Sequence, residues 1–219
     1  MSANWIKVSA LAIGLTASSA FAGSKELVDF AGVSSGWRAT WASAYDGQID
    51  LIFRGTVGSQ FFFEKDATFN ANNLEGIEIV FERIAPGAKT LVINDEVIRN
   101  QTGVAWSGFN FVLGSGSIGG TPNFTFQSSN GSPGIGDFNI SPFTTFAFED
   151  NSTRLSFGGG TVSSPGVWLP GAASNAGIAI VAHNNVDSFT LKEIPVPIPL
   201  PAAAWTGLST LLGLGFVGV

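Results

Sequence analysis

The chain of 219 residues has no cysteine, one histidine, one tyrosine and one methionine. Without cysteine no disulfide can brace the fold, and neither a zinc site nor a Cys-His dyad can be built in the usual way. A Ser-His-Asp arrangement would have to use His183, in "IVAHNNVD", and nothing resembling a nucleophile elbow accompanies it. Charge is scarce too: 12% of residues are charged, with a net charge of -6. That balance offers no basic face for nucleic acid and no attraction to an anionic lipid surface. The body holds no apolar stripe of helical period sustained for three turns. It also shows no internal repeat at a fixed spacing, which argues against a propeller or solenoid.

What is abundant is phenylalanine, at 19 residues, with six Trp and 28 Gly. Phe dominance over Tyr points to a buried core more than to a wet binding face. The period is two. "GIEIVFERI" sets Ile77, Ile79 and Phe81 against Glu78, Val80 and Glu82, and "QIDLIFR" sets Ile49, Leu51 and Phe53 against Asp50, Ile52 and Arg54. "FTTFAFED", "TRLSF", "GIAIVAH" and "SFTLKEI" continue the pattern, and Gly/Ser/Asn-rich connectors separate them. These are half-buried strands. The expected fold is all-β, a single β-sandwich or jelly-roll-like domain. In "LVINDEVI", Asn94-Asp95 is expected to make a tight hairpin, since both residues tolerate positive φ. Lys65, Lys89 and Lys192 lie beside strands and are expected to discourage edge pairing.

Both ends read differently from the body. Residues 1–22 have a short n-region with Lys7, an apolar h-region and the small-x-small site Ala20-Phe21-Ala22, the pattern of a secretory signal peptide cleaved before Gly23. The body is then 23–193. Residues 194–201 form a spacer in which Pro195, Pro197, Pro199 and Pro201 alternate. Proline lacks a backbone donor, so the spacer is expected to end the sheet as extended polyproline II. Residues 202–219 carry no charge. As a separate C-terminal hydrophobic helix they would reach about 27 Å, close to a bilayer core of about 30 Å.

"VPIPLPAAAWTGLSTLLGLGFVGV" resembles the C-terminal sorting signal of bacterial PEP-CTERM proteins, in the variant with a Pro-Leu-Pro-Ala core. Leu200 stands where the eponymous motif has an acidic residue, and the apolar run holds no basic cluster. The resemblance implies that Pro199, Leu200, Pro201 and Ala202 are the recognition core and Ala202 to Val219 the span. It also implies an exosortase-type membrane processing enzyme as partner, and delivery to the cell envelope, outer surface or extracellular matrix of a Gram-negative-type bacterium. An exopolysaccharide-rich setting comes with the family. A second stretch, "VIRNQTGVAWSGFNFVLGSG", is similar to a segment of β-sandwich ectodomains that carry this tail. Asn100, Thr102, Gly103, Trp106, Phe109 and Phe111 carry that likeness, with a turn at 100–103 and Phe109 and Phe111 on one strand face.

Candidate chemistry is sparse. "GSGSIGG" matches G-x-G-x-x-G at Gly114, Gly116 and Gly119, but a strand-like "GTPNFTF" follows where a dinucleotide site needs a helix. Asp46 with Asp50, Glu78 with Glu82, and Glu149 with Asp150 are the carboxylate pairs a glycosidase would draw on, and all read as surface charge. "FEDNSTR" and "AHNNVD" gather the oxygen ligands calcium prefers, without the ordered spacing of a loop that wraps an ion. No cofactor is expected. Trp37 and Trp41, four apart, share one strand face. They are either a sugar-stacking platform or two core tryptophans, and burial statistics favour the core. The expectation is a non-enzymatic exported protein with a structural or adhesive role. The alternative is a carbohydrate-binding module using Trp37 and Trp41.

Overall fold

The structure is a computed structural model that describes residues 21–29, 31–86, 89–118, 120–128, 140–170 and 177–199. Among these the chain forms β1 (Phe21–Val28), β2 (Ser34–Ala42), β3 (Ile49–Val57), β4 (Gln60–Asn70), β5 (Ile77–Arg83), β6 (Thr90–Gln101), β7 (Trp106–Gly114), β8 (Ser117–Ile118), β9 (Thr121–Pro122), β10 (Phe124–Ser128), β11 (Thr145–Glu149), β12 (Arg154–Gly158), β13 (Gly166–Trp168), β14 (Ile178–Ala182) and β15 (Ser188–Pro197). The helical content of the described residues is one 3-10 turn, Ser43–Tyr45. The expected all-β class is what the chain forms.

Two sheets make the body. One runs β1-β2-β5-β15-β7-β12-β11; the other runs β10-β14-β6-β4-β3, with β13 also paired to β6. Their inner faces meet through aromatic rings. Trp37 on β2 lies 6.1 Å from Phe61 on β4, Phe81 on β5 lies 5.8 Å from Phe63, and Phe69 stands edge-on to Trp106 and Phe109 of β7. The alternation read from the sequence decides which residues point inward. Ile77, Ile79 and Phe81 are buried, as are Ile49, Leu51 and Phe53, and Phe109 with Phe111. β4 alternates without a break, so Phe61, Phe63, Lys65, Ala67 and Phe69 all face the core.

Three expectations need correction. Asn94-Asp95 is not a hairpin: β6 continues through it as one strand of 12 residues. Pairing with β4 runs Phe63↔Ile93 and then Glu64↔Asp95, so Asn94 is the extra residue of a β-bulge. The bulge switches the inward set from Leu91 and Ile93 to Glu96, Ile98 and Asn100. Next, the three lysines are not edge guards. Lys65 lies on β4 between β3 and β6, Lys192 lies on β15 between β5 and β7, and Lys89 immediately precedes β6, which is itself internal.

Finally, the sheet does not stop at Pro195. Pro195 pairs with Phe109 and Pro197 with Trp106, so the last strand runs past the expected boundary at residue 193. The reason lies in which side each backbone nitrogen faces. The Ile198 N–H donates to the Ala105 carbonyl on the β7 side. Alternate residues face alternate neighbours, so Pro195 and Pro197 turn their donor-less nitrogens the other way. β5 pairs with β15 only as far as Glu193, so those nitrogens face the side of β15 that has no strand partner among the described residues, with Pro195 buried and Pro197 half-buried. The prolines therefore blunt an edge instead of ending a strand. The expected recognition residues Leu200, Pro201 and Ala202, the C-terminal helix and residues 1–20 lie outside the described residues. No described helix is long and apolar enough to cross a membrane.

Replacing both prolines by a β-branched residue with a backbone donor reopens that edge. The Pro195→Val/Pro197→Val variant is expected to self-associate more than the natural chain in light scattering, with its circular dichroism retained. An unchanged molecular mass would contradict the edge-blunting role.

Candidate functional site: a buried lysine between two glutamates

The inward parity of β4 carries a charged residue into the core. Lys65, Glu96 and Glu193 are each 0% exposed. Lys65 and Glu96 are register partners on the parallel pair β4/β6, while Glu193 reaches in from β15 in the opposite sheet. The Lys65 Nζ stands 2.5 Å from Glu96 Oε1 and 2.5 Å from Glu193 Oε1. Neither carboxylate, nor the ammonium, has an aligned hydrogen-bond partner among the other described groups. The lysine therefore ties the two sheets together through its close contact with Glu193 while holding Glu96 on its own sheet.

Burial sets the proton inventory. It pushes the Glu96 carboxyl up to about 8, with the neighbouring Glu193 charge adding to the rise and Lys65 opposing it. Burial also pulls the Lys65 ammonium down, but the charges of Glu193 and Glu96 outweigh it and the net direction is upward. One cation facing two acids in a low dielectric is best neutralised when one acid keeps its proton. At neutral pH the Lys65 ammonium stands against a protonated Glu96, with Glu193 the second acid in contact with it. It places an amine, a carboxylic acid and a base in mutual contact without water.

The sequence held a signal for two members. Lys65 and Glu193 sit at inward positions of "FFFEKDATF" and "FTLKEIP", where every flanking alternate residue is apolar or small. Glu96 was hidden, because its inward position depends on the bulge at Asn94.

A second polar node lies at the turn from β6 to β7. Asn100 Nδ2 donates to the carbonyls of Val104 and Val162, at 2.9 and 3.2 Å. Its Oδ1 accepts from the Thr102 amide and hydroxyl, and the Trp106 indole N–H donates to Thr102 Oγ1. Gly103 has φ +85°, which favours glycine. The segment 100–111 is thus a satisfied turn feeding a core strand.

Trp37 is 0% and Trp41 7% exposed. They share a face, as the spacing implies, and that face is the inner one. Trp41 donates its indole N–H to Asp46 and is covered by β1, where a Cβ on Gly23 would stand 1.9 Å from its Nε1. Neither ring offers a free face for a sugar.

The carboxylate pairs are scattered over the surface. Asp50, Ile52, Glu64 and Asp66 line a shallow cavity of about 200 Å³ on the outer face of β3 and β4. Each of its carboxylates has a cation: Lys25 for Asp50, Arg54 for Glu64 and Arg99 for Asp66. Glu82 lies 3.9 Å from Arg38, and Arg154 faces both Glu149 and Asp150. His183 is exposed after β14, its Nε2 2.6 Å from Thr125 Oγ1. Among the described residues no group of three or more His, Asp or Glu is arranged to hold a metal ion. Gly114 and Gly116 are followed by the short strand β8, not by a helix. No family model, no curated protein and no solved structure matches this chain.

Removing the shared cation leaves buried carboxyl groups without a counter-charge. Lys65→Met is expected to lose at least about 3–5 kcal/mol in chemical denaturation. Glu96→Gln replaces a protonated acid by a neutral isostere and is expected to cost about 1 kcal/mol or less. Equal losses would contradict the assigned proton inventory. Asn100→Ala is expected to cost about 1–3 kcal/mol by the same assay, because it takes the acceptor from the buried Thr102 N–H and one of the two donors from each of the Val104 and Val162 carbonyls.

Proposed function

We propose that the chain is an exported structural or adhesive protein of a bacterial cell envelope or extracellular matrix. It is delivered there by its leader and by the sorting motif at Pro199, Leu200, Pro201 and Ala202, with an exosortase-type membrane enzyme as processing partner. The observation that best supports this reading is the attachment of the motif. The strand that leads into it, β15, is paired with β5 over Ser188–Glu193 and with β7 over Thr190–Pro197, and carries Glu193 into the core. A tether joined to an internal strand transmits load into the body of the sandwich, where an edge strand would peel. The sealed aromatic core fits the same role. A carbohydrate-binding alternative would need a surface other than Trp37 and Trp41.

The test is recovery of the protein from its native host, with fractionation, N-terminal sequencing and intact mass. The expected product begins at Gly23, resides in the envelope or matrix fraction and is processed within or beside the motif. A Pro199→Ala/Pro201→Ala variant is expected to accumulate unprocessed at the membrane. A full-length chain in the cytosol would contradict the proposal.

A further inference from the structure

We propose that Lys65 and Glu96 condense to a side-chain amide, with Glu193 as the base, so that the folded sandwich carries a covalent cross-link between β4 and β6. The geometry supplies each reactant. Lys65 and Glu96 are register partners on adjacent parallel strands, both side chains pointing into the core. The amine lies 2.5 Å from a Glu96 carboxyl oxygen. The carboxyl carbon is one bond beyond, about the 3–3.5 Å separation of a near-attack arrangement. Glu193 touches the same nitrogen at 2.5 Å from the opposite sheet.

The step needs no co-reactant. The Glu193 carboxylate takes a proton from the Lys65 ammonium. The freed lone pair attacks the carbon of the protonated Glu96 carboxyl, forming the C–N bond. Glu193 then relays a proton from nitrogen to the departing hydroxyl, the C–O bond breaks, and one water leaves. Glu193 ends with the second proton lost by the nitrogen. Amide formation in bulk water is opposed by water itself, but this core excludes water and holds the partners in place. Effective molarities of about 10⁵–10⁸ M are available to such arrangements. The product also resolves an energetic conflict, because it replaces a buried ammonium and two competing acids with neutral groups. In a chain with no cysteine it does what a disulfide would do, closing the loop from Lys65 to Glu96.

Peptide mapping of the folded full-length chain decides the matter. Trypsin cannot cleave after an acylated lysine. The expected species is residues 55–83, uncut at Lys65, joined to residues 90–99, lighter than the two together by about 18 Da, one water. Glu96→Gln is expected to give a product of identical mass, because ammonia leaves instead of water and the amide is the same. Glu193→Gln, checked for folding by circular dichroism, is expected to yield the two peptides unjoined. Free peptides ending at Lys65 in full yield from the folded natural chain would overturn the cross-link. A bond to Glu193 in place of Glu96 would overturn the assignment of electrophile and base, as would a Glu193→Gln variant that still links.

Discussion

An ammonium group brought into a dry core, as Lys65 is before the proposed amide forms, constrains everything packed around it. Lys65 lies among Phe61, Phe63, Ala67 and Phe69 on the inner face of β4, and among the described residues its charge is met by Glu96 and Glu193. Burying any one of these ions alone would cost several kcal/mol, so the three positions are interdependent. β4, β6 and β15 must therefore come together in one register, because a slip of one residue would turn Lys65 to the outside and leave both acids buried without it. An apolar core tolerates small shifts; this one specifies a single alignment of the two sheets.

The rest of the structure serves that alignment. Aromatic side chains from both sheets fill the core on either side of Lys65 along β4: Phe61 meets Trp37, which also touches Phe124 and Phe189, and Phe69 meets Trp106 and Phe109. They exclude water, which strengthens the ion pairs and raises the cost of breaking them. The bulge at Asn94 brings Glu96 to the inner face after Leu91 and Ile93 have already used the opposite parity. The outer faces follow ordinary rules. Asp50 and Asp66 oppose each other directly across β3 and β4, and each is relieved by its own cation.

Much of this was legible in the amino-acid sequence, because strand period two is a local property. The inward sets of β3, β5 and β12 and the Phe109-Phe111-Leu113 face of β7 follow from alternation alone; Trp106 has the other parity and is buried because the register shifts between it and Gly108. The errors arose where a residue's usual role was read without its neighbours. Lysine beside a strand suggested an edge, although the parity of Lys65 matched four inward apolar or small residues. Asn-Asp suggested a turn, but an added residue in a long strand satisfies the same tolerance for irregular backbone. Alternate prolines suggested the end of the sheet; only the three-dimensional pairing reveals that β5 stops one step earlier and leaves their nitrogens nothing to bond. Glu96 could not be found by any period count, since the bulge breaks the count. The site is composed of residues from three strands that local patterns cannot bring together.

In this account the sandwich is a rigid body whose stability is concentrated where β4, β6 and β15 meet at Lys65. The most direct measurement of that claim is native-state hydrogen exchange, resolved by residue, on the folded protein. Amides of β4, β6 and the Ser188–Glu193 part of β15 should exchange last and together, at the free energy of global unfolding. If β15 opened well before β4 and β6, the lysine would not be holding the two sheets as a unit, and the central claim would fail.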